Sequence, residues 1–192
     1  MQLTVLPLTP RRWPDLEVIF KARGCSVARG CWCMFYRRSG AQAQSPTHST
    51  RAEANKADLK ALVDAGHPPG LIGYRDGAPV GWVSIGPRED YAKLARSPVM
   101  KPVDDQPVWS VICFVVPSAH RGQGVAEALL DGAIAYAKSR GAKVVEAYPV
   151  EKPSRSKDDA MWFGAKSMYD KAGFWEVERR KPVRPVVRLK LP

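Results

Sequence analysis

Apolar and polar positions change period several times along this chain. Gln2–Leu6 alternates and reads as an edge strand. Pro10 and Pro14 then open a helix running to about Arg23, with Leu16, Ile19 and Phe20 on one face. Residues 24–48 follow no period, which predicts a long loop or broken helix. Ser49 or Thr50 caps a helix to Ala65, with Leu59, Leu62 and Val63 as its apolar stripe. Leu71–Arg75 and Pro79–Ile85 form a hairpin around Asp76-Gly77. Tyr91–Arg96 reads as a short helix.

Val108–Val116 is an almost unbroken apolar run, the pattern of a central strand covered on both faces. Gly122–Ser139 is an amphipathic helix, with Ala126, Leu129, Leu130, Ala133, Ile134 and Ala137 on its buried face. Lys143–Val150 is the next strand, and residues 151–160 are a charged loop. Phe163–Lys171 is a short helix stopped by Gly173. Phe174–Arg180 and Val183–Leu191 form a last antiparallel pair. The order of elements predicts a mixed α/β or α+β layer structure.

The 192 residues suit one domain, and 45% hydrophobic content is enough for a packed core. No apolar run is long enough for a membrane helix, and the N-terminus lacks the pattern of a signal peptide. These readings predict a soluble, cytoplasmic protein. The net charge of +11 first points toward nucleic acid or another polyanion. Its location weakens that reading. Residues 1–50 carry a net +5, residues 51–178 are balanced, and residues 179–192 carry six cations and no acid. The terminal cations alternate with Val186, Val187, Leu189 and Leu191, as on a strand with one solvated face.

Cys25, Cys31, Cys33 and Cys113 lack the paired C-x-x-C spacing of a zinc or redox site. A metal site would have to recruit a distant ligand such as His48, so small apolar side chains in a pocket wall or core are the expectation.

The chemistry concentrates where the central strand runs into a glycine-rich turn that opens a helix, Val116-Pro-Ser-Ala-His-Arg121-Gly122-Gln123-Gly124-Val125-Ala126. The first amides of a helix have no intrahelical partner, and the helix dipole favours an anion there. The turn therefore reads as a pyrophosphate site. A Walker loop is absent, and the dinucleotide fingerprint fails because residue 127 is Glu127.

Arg121-Gly122-Gln123-Gly124-Val125-Ala126 fits [RQ]-x-x-G-x-[GA], and Ser167–Phe174 fits a late-helix pattern ending Y-x-x-x-G-F. With these two motifs in this order of elements, the chain resembles the GNAT family of N-acetyltransferases over most of its length. The resemblance implies a central, mixed and mostly antiparallel sheet with splayed central strands, flanked by helices, in a single domain over residues 1–192. Residues 24–48 become an atypical acceptor-side loop. It implies acetyl-CoA as co-substrate and a small-molecule, amino-acid-like amine as acceptor, with direct attack on the thioester in a ternary complex.

By the same resemblance, Phe114, Val115 and Val116 offer backbone groups to the pantetheine arm. Arg121, Gly122, Gln123, Gly124, Val125 and Ala126 form the pyrophosphate turn. Tyr169 falls at the position of the acid that protonates the CoA thiolate. Glu146 is the candidate base, directly or through water. Trp32, Arg88 and Tyr148 are the expected substrate-side residues.

The chain also departs from the family pattern. Pro117 stands one place early relative to the glycine turn, which predicts a displaced or bulged strand end. Asn55 is the only asparagine, so Ser154 or Ser156 would replace an Asn that some members use. An acyl-cysteine at Cys113 lacks a neighbouring activating His in the sequence. Other readings are a non-catalytic acyl-CoA-binding module and an acetyltransferase acting on protein or RNA. A homodimer is compatible with the sequence.

Overall fold

The structure is a computed structural model that describes residues 3–38, 50–151 and 161–192. His48, Ser49, Ser154 and Ser156 lie outside the described residues. The elements are β1 (Leu3–Pro7), α1 (Trp13–Lys21), α2 (Ser26–Cys31), α3 (Arg51–Asp64), β2 (Gly70–Arg75), β3 (Ala78–Pro87), β4 (Trp109–Val115), α4 (Val125–Ser139), β5 (Val144–Ala147), α5 (Lys166–Lys171), β6 (Trp175–Lys181) and β7 (Arg184–Lys190). Arg88–Asp90 and Leu94–Arg96 are single 3-10 turns where one short helix was expected at Tyr91–Arg96.

Seven strands form one sheet in the order β1-β2-β3-β4-β5-β7-β6. All neighbours are antiparallel except β4 and β5. The predicted mixed, mostly antiparallel sheet flanked by helices is the observed one. One face is covered by α4, whose Val125, Leu129, Leu130, Ala133 and Ala137 join Val83, Val111 and Val145 in one core. The other face is covered by α1–α3, where Leu16, Ile19, Phe20 and Leu59 pack on Ile72 and Trp82. The start of α3 is fixed as its sequence predicts. Thr50 accepts the Glu53 amide, and Glu53 accepts the Thr50 amide, a reciprocal cap.

The central strands part early. β4 pairs with β5 over only Trp109–Val111 and Val145–Ala147. The expected strand at 143–150 is shorter for this reason, because Tyr148–Val150 leave β4. On its other side, Cys113 faces Ser84 and Val111 faces Ile85, so Ile112 is an extra, bulged residue. The bulge lies at Ile112, upstream of the expected Val115-Val116.

Candidate active site

The parted strands open into a cavity of about 1050 Å³. Its walls come from the segment Gly24–Tyr36, the end of β4 from Ile112 to Val116 with the glycine turn beyond it, Val150, and residues 161–168. The strand end and the glycine turn thus share one wall.

The turn is shaped by backbone conformation. Gly122 (φ 70°) and Gly124 (φ 76°) are both left-handed, and neither would meet another atom if it carried a Cβ. Glycine is required there for its torsion angles. Gly124 is the N-cap of α4 and supplies no side-chain cap, so the amides of Val125, Ala126 and Glu127 face the turn without intrahelical partners. Arg121 and Gln123 act as braces. The Arg121 guanidinium donates to the Val116 carbonyl at 2.9 Å and the Gly24 carbonyl at 2.7 Å. Gln123 donates to the Ala119 carbonyl at 2.8 Å and is held by Arg75. These contacts place the turn against both β4 and the segment before α2.

At the parted strands, the Phe114 amide donates to the Trp162 carbonyl at 2.7 Å. The segment carrying Trp162 therefore lies along β4 as a partial strand would. Val150 and Ala165 form a parallel bridge just behind it. Phe114, Val115, Val116, Arg121, Gly122, Gly124, Val125 and Ala126 all line the cavity, so nearly every residue expected to hold the cofactor converges on it.

The other expected residues lie behind or away from these walls. Tyr169 is fully buried in α5, and its hydroxyl donates to the Phe163 carbonyl at 2.8 Å. Burial pushes its phenol pKa up. Glu146 is fully buried. Its carboxylate accepts the Tyr148 hydroxyl at 2.7 Å and Arg188 Nε at 2.8 Å, with Arg88 at 3.7 Å. Arg188 in turn grips Asp104 with both terminal nitrogens, at 2.6 and 2.8 Å. Glu146, Arg88 and Tyr148 are thus members of one internal network. Trp32 stacks on Trp13 at 5.8 Å and packs on Phe20, inside the core under α1. None of Tyr169, Glu146, Tyr148, Arg88 and Trp32 is among the lining residues.

The feature that sequence reading did not assemble is a wall of thiols. All four cysteines, Cys25, Cys31, Cys33 and Cys113, line the cavity. Cys33 leaves α2 through two left-handed non-glycine residues, Trp32 (φ 48°) and Cys33 (φ 53°). Each costs about 1–2 kcal/mol of backbone strain. Cys33 Sγ accepts Trp82 Nε1–H at 3.3 Å, and the Cys113 thiol donates to the Phe114 carbonyl at 3.7 Å. The C-x-C spacing at Cys31-Trp32-Cys33 was visible in the sequence, but its convergence with Cys113 depends on the tertiary fold.

The sequence profile described as the acetyltransferase (GNAT) family matches residues 34–174, which run from beyond α2 through α3 to the end of α5 and so include the parted strands and the turn. The chain belongs to the GNAT acetyltransferase family. No curated protein matches the sequence. Among solved structures, the chain is similar to a polyamine N-acetyltransferase of Drosophila melanogaster that forms N-acetylagmatine. That match has 13% identity and a TM-score of 0.58, covering 99% of this chain and 100% of the other. It is also similar to the ribosomal-protein-alanine N-acetyltransferase of Brucella melitensis, with 18% identity, a TM-score of 0.54 and coverage of 98% and 99%. A third is a chain of the NatC complex bound to Gag peptide and CoA, with 14% identity, a TM-score of 0.53 and full coverage of both chains. At these identities the likeness is one of fold.

Proposed function

We propose that this protein transfers the acetyl group of acetyl-CoA to the amine of a small, amino-acid-like molecule with an apolar body. The observation that carries the reading is the single cavity formed by the parting of β4 from β5 and closed at one end by the Gly122–Gly124 turn. A cofactor with a flexible arm and a pyrophosphate needs those two features side by side. The free amides at the start of α4 suit the pyrophosphate. The end of β4 beside the bulge lines the cavity and suits the arm. The NatC complex, which shares the fold, is described with CoA bound.

The acceptor class is read from the opposite end of the cavity. Cys31, Cys33, Phe35, Tyr36, Met161 and Trp162 form that wall. It contributes no carboxylate among the described residues, so it suits an apolar amine better than a polycation. Direct attack by the amine requires a base within reach of it. Glu146 is committed to Arg188 and Tyr148, whereas the thiols of Cys33 and Cys113 stand on the wall itself.

The test couples two measurements. Acetyl-CoA is expected to raise the melting temperature. A free-thiol release assay across amino acids, aromatic amines, polyamines and peptides is expected to show turnover with apolar amino compounds. A thermal shift without turnover on any amine would instead identify an acyl-CoA-binding module. Preference for a polyamine would overturn the acceptor class.

A further inference from the structure

The wall that holds Phe35 and Tyr36 is backed by a row of three rings. Tyr36 packs edge-on to Phe35 at 5.0 Å and to Phe163 at 5.7 Å. Phe35 and Tyr36 line the cavity, and Phe163 follows the lining residue Trp162. Each outer ring carries a cation. Lys93 Nζ lies 3.6 Å from the Phe35 ring centroid, and the Arg184 guanidinium carbon lies 4.5 Å from that of Phe163. Lys93 is also tied to the row by its amide, which donates to the Tyr36 carbonyl at 3.1 Å. Neither cation has a carboxylate among the described residues. Their neighbours on the last hairpin do: Arg179, Arg180 and Arg188 form ion pairs at 2.6, 3.6 and 2.6 Å. Arg184 Nη2 reaches only the Tyr148 carbonyl at 3.4 Å and Met100 Sδ at 3.7 Å, and its Nε is buried without a hydrogen-bond partner. Burial disfavours this charge, and Tyr36 offsets the effect only in part. Burial likewise raises the Tyr36 phenol pKa, so the hydroxyl keeps its proton and can donate.

We infer that Arg184 and Lys93 select an acceptor that carries a carboxylate beyond its apolar, amine-bearing body. The inference rests on the acetyl-CoA reading of the cavity and names the acceptor within it. A carboxylate at this edge of the wall supplies the anion that the guanidinium lacks, accepts from the Tyr36 hydroxyl and lies beside the Lys93 charge. The apolar body then lies along Met161 and Trp162, with its amine toward the parted strands. The same two cations repel the second amino group that a polyamine would bring here, so one arrangement both attracts the acid and rejects the polycation.

The test compares each acid with its neutral twin. N-acetyl derivatives of leucine, methionine, phenylalanine and tryptophan, each as free acid and as amide, are titrated by calorimetry into wild-type protein saturated with CoA. For at least one of them the acid is expected to bind about tenfold or more tightly than the amide. Arg184→Gln is expected to erase this ratio by weakening the acid and leaving the amide nearly unchanged, a split that general damage to the fold would not produce. Should Arg184→Gln fail to fold, Lys93→Gln is expected to lower the ratio about threefold. In free-thiol release with acetyl-CoA, the free amino acids are expected to show a lower KM than their amides. Equal binding of acid and amide by the wild type, or a ratio unchanged in folded Arg184→Gln or in Lys93→Gln, overturns the inference. Binding of neither compound, with the thermal shift on acetyl-CoA intact, also overturns it and leaves the acetyl-CoA reading standing. Absence of the thermal shift as well overturns both.

Discussion

At the scale of single residues, burial separates two side chains that sequence reading had paired as acid and base. Glu146 is enclosed by Arg188, Tyr148 and Arg88, and its nearest use is to neutralise Arg188 inside the molecule. Removing one partner of a buried ion pair leaves the other uncompensated. Glu146→Gln is therefore expected to cost about 3 kcal/mol in chemical denaturation, with little change in turnover per folded molecule. Preserved stability with collapsed turnover would restore Glu146 as the base. Tyr169 is different because its hydroxyl holds the Phe163 carbonyl, and that residue leads into the Gly164–Met168 part of the wall. Tyr169→Phe is expected to lose about 1 kcal/mol of stability and raise KM for acetyl-CoA while kcat is largely kept. Loss of kcat at constant KM would mark Tyr169 as the proton donor to the CoA sulfur.

At the scale of elements, the site is made by a strand that stops pairing and a helix that begins without a side-chain cap. Gly124 carries both features forward, since its left-handed backbone turns the chain from β4 into α4. Gly124→Ala places its methyl group in open space, so its whole cost is conformational, about 1–2 kcal/mol. Reorientation of the first α4 amides is expected to weaken acetyl-CoA binding, measured by titration calorimetry. Unchanged affinity would remove the turn from the cofactor site. This junction was legible in the sequence, because the apolar run, the glycines and the amphipathic helix are all local patterns. The length of β5 was not, since Tyr148–Val150 remain apolar while their backbone leaves β4. Nor was α2, whose six residues carry one buried side chain, Ala28, and so leave no period to read. The thiol wall was hidden for a related reason: Cys33 meets Trp82, and reaches the same cavity wall as Cys113, only through packing across the sheet.

At the scale of the whole molecule, the positive excess at the C-terminal end turns inward more than its alternating pattern implied. Arg188 crosses from β7 to Glu146 and Asp104, and Arg180 donates to the carbonyls of Val99, Lys101 and Pro102. These cations fasten the 99–106 connection to the last hairpin. They also make stability depend on acid pH. The Arg188 guanidinium holds the Asp104 carboxyl at about 2, below its ordinary 3.8. Lys21 and Lys56 similarly hold Glu17 at about 2, below 4.5. Both carboxyls thus bind protons more readily in the unfolded chain. Their stabilisation is complete above the unfolded values and disappears as pH falls through about 2. The melting temperature is therefore expected to decline from about pH 5 toward pH 2. Asp104→Asn is expected to lower it at neutral pH and to flatten the acid decline, because the asparagine cannot take up the proton that weakens the wild type. Parallel pH curves for the two proteins would show that the Arg188–Asp104 pair does not fasten the connection.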